Sequence, residues 1–445
     1  MADDNRGEDL PFDFDQLRRM LESMGVPIDP SNVDLGALMA QLSKLQQSGA
    51  VIGMTNADQD PDAAWLTTIT AAKQQADAHG PDPALEPAER SALVDAERLA
   101  QSWVDPATTF EGAGVPVAGL RRTEWLDATS AGWRGVVEPI IEGLAEALER
   151  GSHSESAPEL ADWSQMMGPM LRSSASLIYR DRLKRQLGEV ATSTLTGTEC
   201  GIDLLGSPVV TVVPSNVAGF TADLGVPESD VMLYLLVREA ARVRLFSRVS
   251  WLSAQLMALL GHYAREITID FDAIMNQFDP AEMDLTSLED IVSVGEQIRG
   301  SFFKPASTTI QLEILGRLEL LLALIGGWVD HVTAKATAAW MPHAPQLSEV
   351  IRRRRATSGP VQQVYSELLG LELRPRLVRD AENLWAAIEH DRGLAGRDAV
   401  WRHPDLLPTA EDLADPLSFT QGPSPTADDT DSFDDELRRL LDDGA

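Results

Sequence analysis

The chain has 445 residues, 44% of them hydrophobic, and a formal net charge of −32. The apolar fraction is enough for a sizeable core, while so negative a field repels phosphate backbones and anionic bilayers, which excludes nucleic acid and membrane surfaces as expected partners. Its single cysteine, Cys200, excludes an intramolecular disulfide or a thiolate metal cluster and fits a reducing compartment.

Taken in chain order, the opening "MADDNRGEDLPFDFD" is acidic and lacks the apolar segment of a secretory signal. The longest apolar run, "LLLALIGGWV" (Leu320–Val329), is too short to span a bilayer, so the expectation is a soluble cytoplasmic protein. Within residues 1–60, "FDFDQLRRMLESMG" and "DLGALMAQLSKLQQ" show helical apolar spacing and read as an amphipathic arm that docks on the body or on a partner. Residues 61–198 read as a helical domain with breaks at "HGPDPALEP", "GAGVPVAG" and "GSHSESAPEL". Trp65, Trp103, Trp125, Trp133 and Trp163 fall in or beside those helices as packing anchors.

The one β signal is "GSPVVTVVPSNVAGF" (Gly206–Phe220), β-branched and bounded by turn residues. A strand needs a partner, and "TECGIDLLG" just before it is the expected one. A helix then opens at Pro227, where Glu228 and Asp230 complement the positive end of its dipole. It is apolar almost all round, yet carries Arg238, Glu239 and Arg242 at its middle. A second nearly all-apolar helix runs from about Ile310 to Trp340, and two such helices mark the centre of the protein. Arg352 to Arg355 form a basic run whose expected partners are acidic groups of the same chain or solvent, with a bound anion as the alternative. The segment from Glu411 to Ala445 is Pro/Ser/Thr-rich and then acidic, so disorder is expected, ending in a short amphipathic helix suited to a partner.

In a zinc peptidase, one helix carries two histidines four residues apart with a glutamate after the first. Both imidazoles then share a face, and the glutamate activates metal-bound water. Arg238-Glu239-Ala240-Ala241-Arg242 has that glutamate, with arginine at both histidine places. The spacing alone carries little, because Arg-Glu-x-x-Arg is common on ordinary helices.

Longer stretches carry more. From about Gly197 onward, "GVPESDVMLYLLVREAARVRLFSRVSWL", "YAREITID", "LLALIGGWVDHV", "IRRRRATSGPVQQVYSELLGLELRPR" and "GRDAVWRHPDLLPTAEDL" resemble a zincin-like metallopeptidase family widespread in actinobacteria. "FDFDQLRRMLESMG" and "ERSALVDAERLAQSWVD" extend the resemblance over most of the chain. It implies a mainly α fold, with a large zincin-like helical core over 199–410 and a small β element beside the active-site-like helix.

The family's usual Arg-Glu-Ala-Ala-His and Leu-Phe-Ala-His place histidines where this chain has Arg242 and Arg248. Its Glu-Gly-Trp-Val-Asp/Glu-His places a ligand glutamate where this chain has Gly326, while Gly327, Trp328, Asp330 and His331 match. The resemblance therefore implies Glu239 as a vestigial general base and His331 as the remaining metal-ligand candidate, with Asp330 beside it. Ordinary structural roles stand next to these: Glu239 pairing with Arg242 at i,i+3, and His331 as a hydrogen-bonded core residue. A fixed guanidinium at 242 takes the place of a metal's charge and repels Zn²⁺. His262 and Glu266 offer a second pair of ligands on one helical face without a family counterpart, and Cys200 has no recognisable histidine partner.

Two functions follow. The first is a catalytically silent member acting as a binding or scaffold protein, without cofactor. It contacts a protein or peptide through the acidic tail, the amino-terminal helices or a peptide-binding groove along the Gly206–Phe220 strand edge. The second is a working zinc-dependent peptidase with an atypical ligand set. The discriminating observation is whether Glu239, Arg242, Gly326 and His331 surround one pocket.

Overall fold

Capping chemistry sets where the helices begin. In the computed structural model, which describes residues 60–112, 114–152, 179–268, 308–357 and 376–421 with a few positions between them (176, 359, 360, 364–368 and 374), Asp60 caps α1 (Pro61–Ala78) by accepting from the Asp62 amide. A Glu86/Glu89 capping box opens α2 (Pro87–Val104), and α3 (Arg122–Ser152) and α4 (179–193) follow. Pro214 sits in the first turn of the short α5 (Pro214–Thr221). Next come α6 (Glu228–Arg248) and α7 (Leu252–Arg265), then α8 (Thr309–Thr337), opened by a Thr308/Gln311 capping box. The described part ends with α9 (Ala344–Thr357), α10 (Arg376–Ala399, kinked at Gly393) and two short helices at Ala410–Ala414 and Pro416–Gln421. The fold is mainly α, as expected.

The two apolar helices lie at the centre. Every residue of α6 from Tyr234 through Phe246 is buried, and α8 buries a continuous stretch from Gly327 to Asp330. They pack on each other. Around them, α8 also packs on α10, α6 on α2, and α7 on α3. Trp125 and Trp133 meet edge to face at 6.3 Å, and Trp385, Trp401 and Trp251 form a stacked series at 5.3 and 6.3 Å, so tryptophans anchor the core. Trp163, the arm over 1–60 apart from Asp60, and the tail beyond Gln421 lie outside the described residues. The first part of the stretch expected to be disordered, Glu411–Gln421, is helical and packs beside α10. No helix of the described residues is long and apolar enough to cross a membrane.

The β element corrects two expectations. Only Val210–Val212 of the Gly206–Phe220 segment is strand, and it pairs in parallel with Val117–Gly119, from a stretch read as a break. "TECGIDLLG" forms turns, and Thr196 just before it makes an antiparallel bridge to Val212. Local pattern marks a half-buried strand but cannot report its partner, which tertiary packing supplies. The strand is bonded on both flanks: Val210 N donates to Pro116 O (3.0 Å) and Leu120 N to Val212 O (2.9 Å) on one side. On the other, Gly197 N donates to Thr211 O (3.2 Å) and Val213 N to Leu195 O (2.9 Å). Val210–Val212 therefore offers no open edge for an extended peptide.

The contact of α8 with α10 depends on Gly327, where an added Cβ would lie 2.6 Å from Glu382 N and 2.7 Å from Ala381 Cβ. Gly316 on the same helix is exposed, and a Cβ there meets nothing within 4 Å. Gly327→Ala should therefore lose about 1–3 kcal/mol in denaturant unfolding. Gly316→Ala should gain up to about 1 kcal/mol, and equal effects at the two sites would contradict this packing.

Candidate functional site

Arg238 and Arg242 stand one turn apart, on one face of α6. They point toward α9 and the loop that follows α4, and a small cleft lies between these elements. Arg354 and Arg355 of α9 complete its basic lining, with Glu199 and Thr196 from the loop and Leu235 and Ile351 as apolar wall.

Each guanidinium has a different partner. Arg238 Nη2 lies 2.7 Å from Asp330 Oδ1 of α8, while Arg355 takes both oxygens of the same carboxylate at 3.0 and 3.1 Å. Burial alone pushes the pKa of Asp330 up, but Arg355 and Arg238 outweigh it and hold the carboxyl well below the usual carboxylate range. Arg354 bonds Glu199 and the Ser193 carbonyl. Arg352 pairs with Glu382 and Arg353 with Glu349, so all four consecutive arginines find acidic partners in the chain, as expected.

Glu239 is fully buried. Its Oε1 accepts from Thr198 N (2.9 Å), and its Oε2 accepts from Thr198 Oγ1 (2.8 Å) and Arg242 Nη1 (3.3 Å). This is the i,i+3 pair read from the sequence, with Thr198 as a third member that spacing could not reveal. Burial pushes the carboxyl up against the pull of Arg242 and Thr198, and burial likewise pushes the Arg242 guanidinium down, with repulsion from Arg238 and Arg355 adding to it. Both glutamate oxygens are engaged, which leaves little for a proton-abstracting role on a neighbouring water.

The remaining positions do not gather here. Arg248 is half-exposed at the end of α6 and donates to Glu111 O at 3.1 Å. At Gly326 a Cβ would meet Val378 Cγ1 of α10 at 3.0 Å. His331 Nε2 lies 2.8 Å from Glu389 of α10, whose carboxylate also takes Lys335 and Arg397. Burial pushes the His331 imidazole below its ordinary value. Burial works upward on Glu389, yet Lys335, His331 and Arg397 hold it down to about 2. His331 is thus a partly buried histidine hydrogen-bonded to Glu389. His262 and Glu266 stand 3.9 Å apart on the exposed side of α7, and Cys200 is buried with its thiol pushed up by desolvation. Of the four positions expected around one pocket, Arg242 lines the cleft, Glu239 is bonded to it, and Gly326 and His331 face α10.

Zinc sites use three or four protein donors, and the matched positions do not supply them. Position 242 offers a guanidinium bonded to Glu239, 248 one directed at a carbonyl, and 326 no side chain; His331 is committed to Glu389. This donor set does not fit zinc. Among the described residues no three His, Cys, Asp or Glu side chains are grouped to hold a metal ion. Sequence reading missed what the shared motif residues do: Trp328 donates to Asp398 (3.0 Å), which also binds Thr108, Thr109 and Arg397, and Asp330 binds Arg238 and Arg355.

Residues 63–420 match the sequence profile of the zincin-like metallopeptidase family. A solved structure from Chloroflexus aurantiacus, provisionally assigned as a hydrolase of novel fold, is similar with a TM-score of 0.55 over 80% of this chain and 97% of that one. Its sequence identity is 18%, so the likeness concerns the fold alone. No protein of curated function matches the sequence.

Removing one member of a buried ion group strands the others without water. Asp330→Ala should therefore cost about 3–5 kcal/mol of unfolding free energy, since two guanidiniums lose their shared partner. Glu349→Ala, which breaks a solvated pair with Arg353, should cost no more than about 0.5 kcal/mol. A similar small loss for both would contradict the clamp role of Asp330.

Proposed function

Given that the chain belongs to the zincin-like metallopeptidase family, we propose that it is a non-catalytic member that acts by binding. The observation that carries this reading is Arg242, a buried guanidinium bonded to the glutamate that would otherwise serve a metal-bound water. A permanently charged cation in that place opposes Zn²⁺ electrostatically and holds Glu239 in an ion pair. Two further ligand places are lost, at Arg248 and Gly326, and each is spent on a local contact or on packing.

In this reading the protein works in the cytoplasm, and its partner is a protein or peptide. The segments of amphipathic pattern within 1–60 and the acidic tail supply the contact surfaces, since the strand at Val210–Val212 has both flanks bonded.

Zinc per chain in purified protein tests the proposal, read by elemental mass spectrometry after dialysis against a weak chelator. We expect less than about a tenth of an equivalent, because structural and catalytic zinc sites hold their metal far more tightly than that treatment removes. Near one equivalent, together with peptide hydrolysis abolished by Glu239→Gln, would overturn it.

A further inference from the structure

A cleft walled by four arginines is out of keeping with a chain of net charge −32. Its ion pairs do not balance. The four guanidiniums of Arg238, Arg242, Arg354 and Arg355 face three carboxylates, Asp330, Glu239 and Glu199, so one positive charge is left over.

The excess arises where Arg238 and Arg355 share one carboxylate, but the least engaged of the four guanidiniums is Arg242. Asp330 is shared at short range by Arg238 and Arg355, and Arg354 holds Glu199 and a carbonyl. Arg242, by contrast, makes only two long bonds, both from Nη1, to Glu239 at 3.3 Å and Thr198 Oγ1 at 3.4 Å. Among the described residues its Nε and Nη2 donate to nothing, although the side chain is only 8% exposed and lines the cleft. Nε with Nη2 is the edge of a guanidinium that grips an oxyanion with two parallel hydrogen bonds, and here that edge is left to the cleft.

We propose that the cleft binds a small oxyanion, a carboxylate or phosphate group carried by a ligand, on the Nε–Nη2 edge of Arg242. Arg238 and Arg355 add attraction at second range, and a bound anion relieves the repulsion they exert on Arg242. Leu235 and Ile351 give the rest of the ligand an apolar wall. The inference takes from the preceding section only that Arg242 is a resident of this site, and zinc content and anion binding can fail independently.

The test is calorimetric titration of the full chain with inorganic phosphate and, separately, with succinate, at constant ionic strength. Saturable binding of at least one is expected, weakened at least about tenfold by Arg242→Met and unchanged by Arg353→Met, whose guanidinium is exposed on the outer face of α9. Preference for phosphate assigns a phosphate ester, and preference for succinate a carboxylate ligand. Absence of saturable binding by either anion, or equal binding by Arg242→Met, would overturn the proposal. If Arg242→Met fails to fold, nitrogen-15 NMR of the wild-type protein decides: a titrating Arg242 Nε–H supports the site, and an unmoved one overturns it.

Discussion

The Asp330 carboxylate, held between Arg238 and Arg355, is the interaction on which the middle of this protein depends. It ties α8 to α6 and α9 at one buried point. Three charges withdrawn from water carry a heavy desolvation cost, which only close geometry offsets. Here the two-oxygen contact from Arg355 and the 2.7 Å contact from Arg238 supply that geometry. With α8 fixed on that side, its other side is set by Gly327 against α10, by Trp328 on Asp398 and by His331 on Glu389. The motif residues that read as chemistry act as fasteners between helices.

Much of this frame is legible in the sequence. Helices without a polar face have nowhere to go but the interior, so α6 and α8 declare themselves centre by composition alone. Pro227 and the Thr308/Gln311 box mark where they begin, and the basic run on α9 in an acidic chain points to acidic partners nearby. What the sequence withholds is which neighbour each helical face meets. Gly326, Asp330 and His331 lie within two turns, yet Asp330 meets α6 and α9 while Gly326 and His331 meet α10. Spacing gives the face of a helix and not the identity of what covers it. The same blindness hides the Val117–Gly119 partner of the short strand and the Thr198 contact with Glu239.

The arginine at 242 changes what the centre can do. A metal would organise Glu239 through a bound water; a guanidinium organises it through a direct contact. On the reading proposed above, the site is a positive feature inside a strongly negative protein, suited to recognition of an anion. His331 and Glu389 are bound to each other across α8 and α10, and Asp398 of α10 holds Trp328 of α8.

The most direct measurement is the thermal midpoint of the full chain, taken with and without a strong chelator and after adding back zinc. A fold held by arginine–carboxylate contacts predicts the same midpoint in all three samples, within about 1 °C. A fall of several degrees on chelation, restored by zinc, would show that a metal holds the centre and would contradict the account.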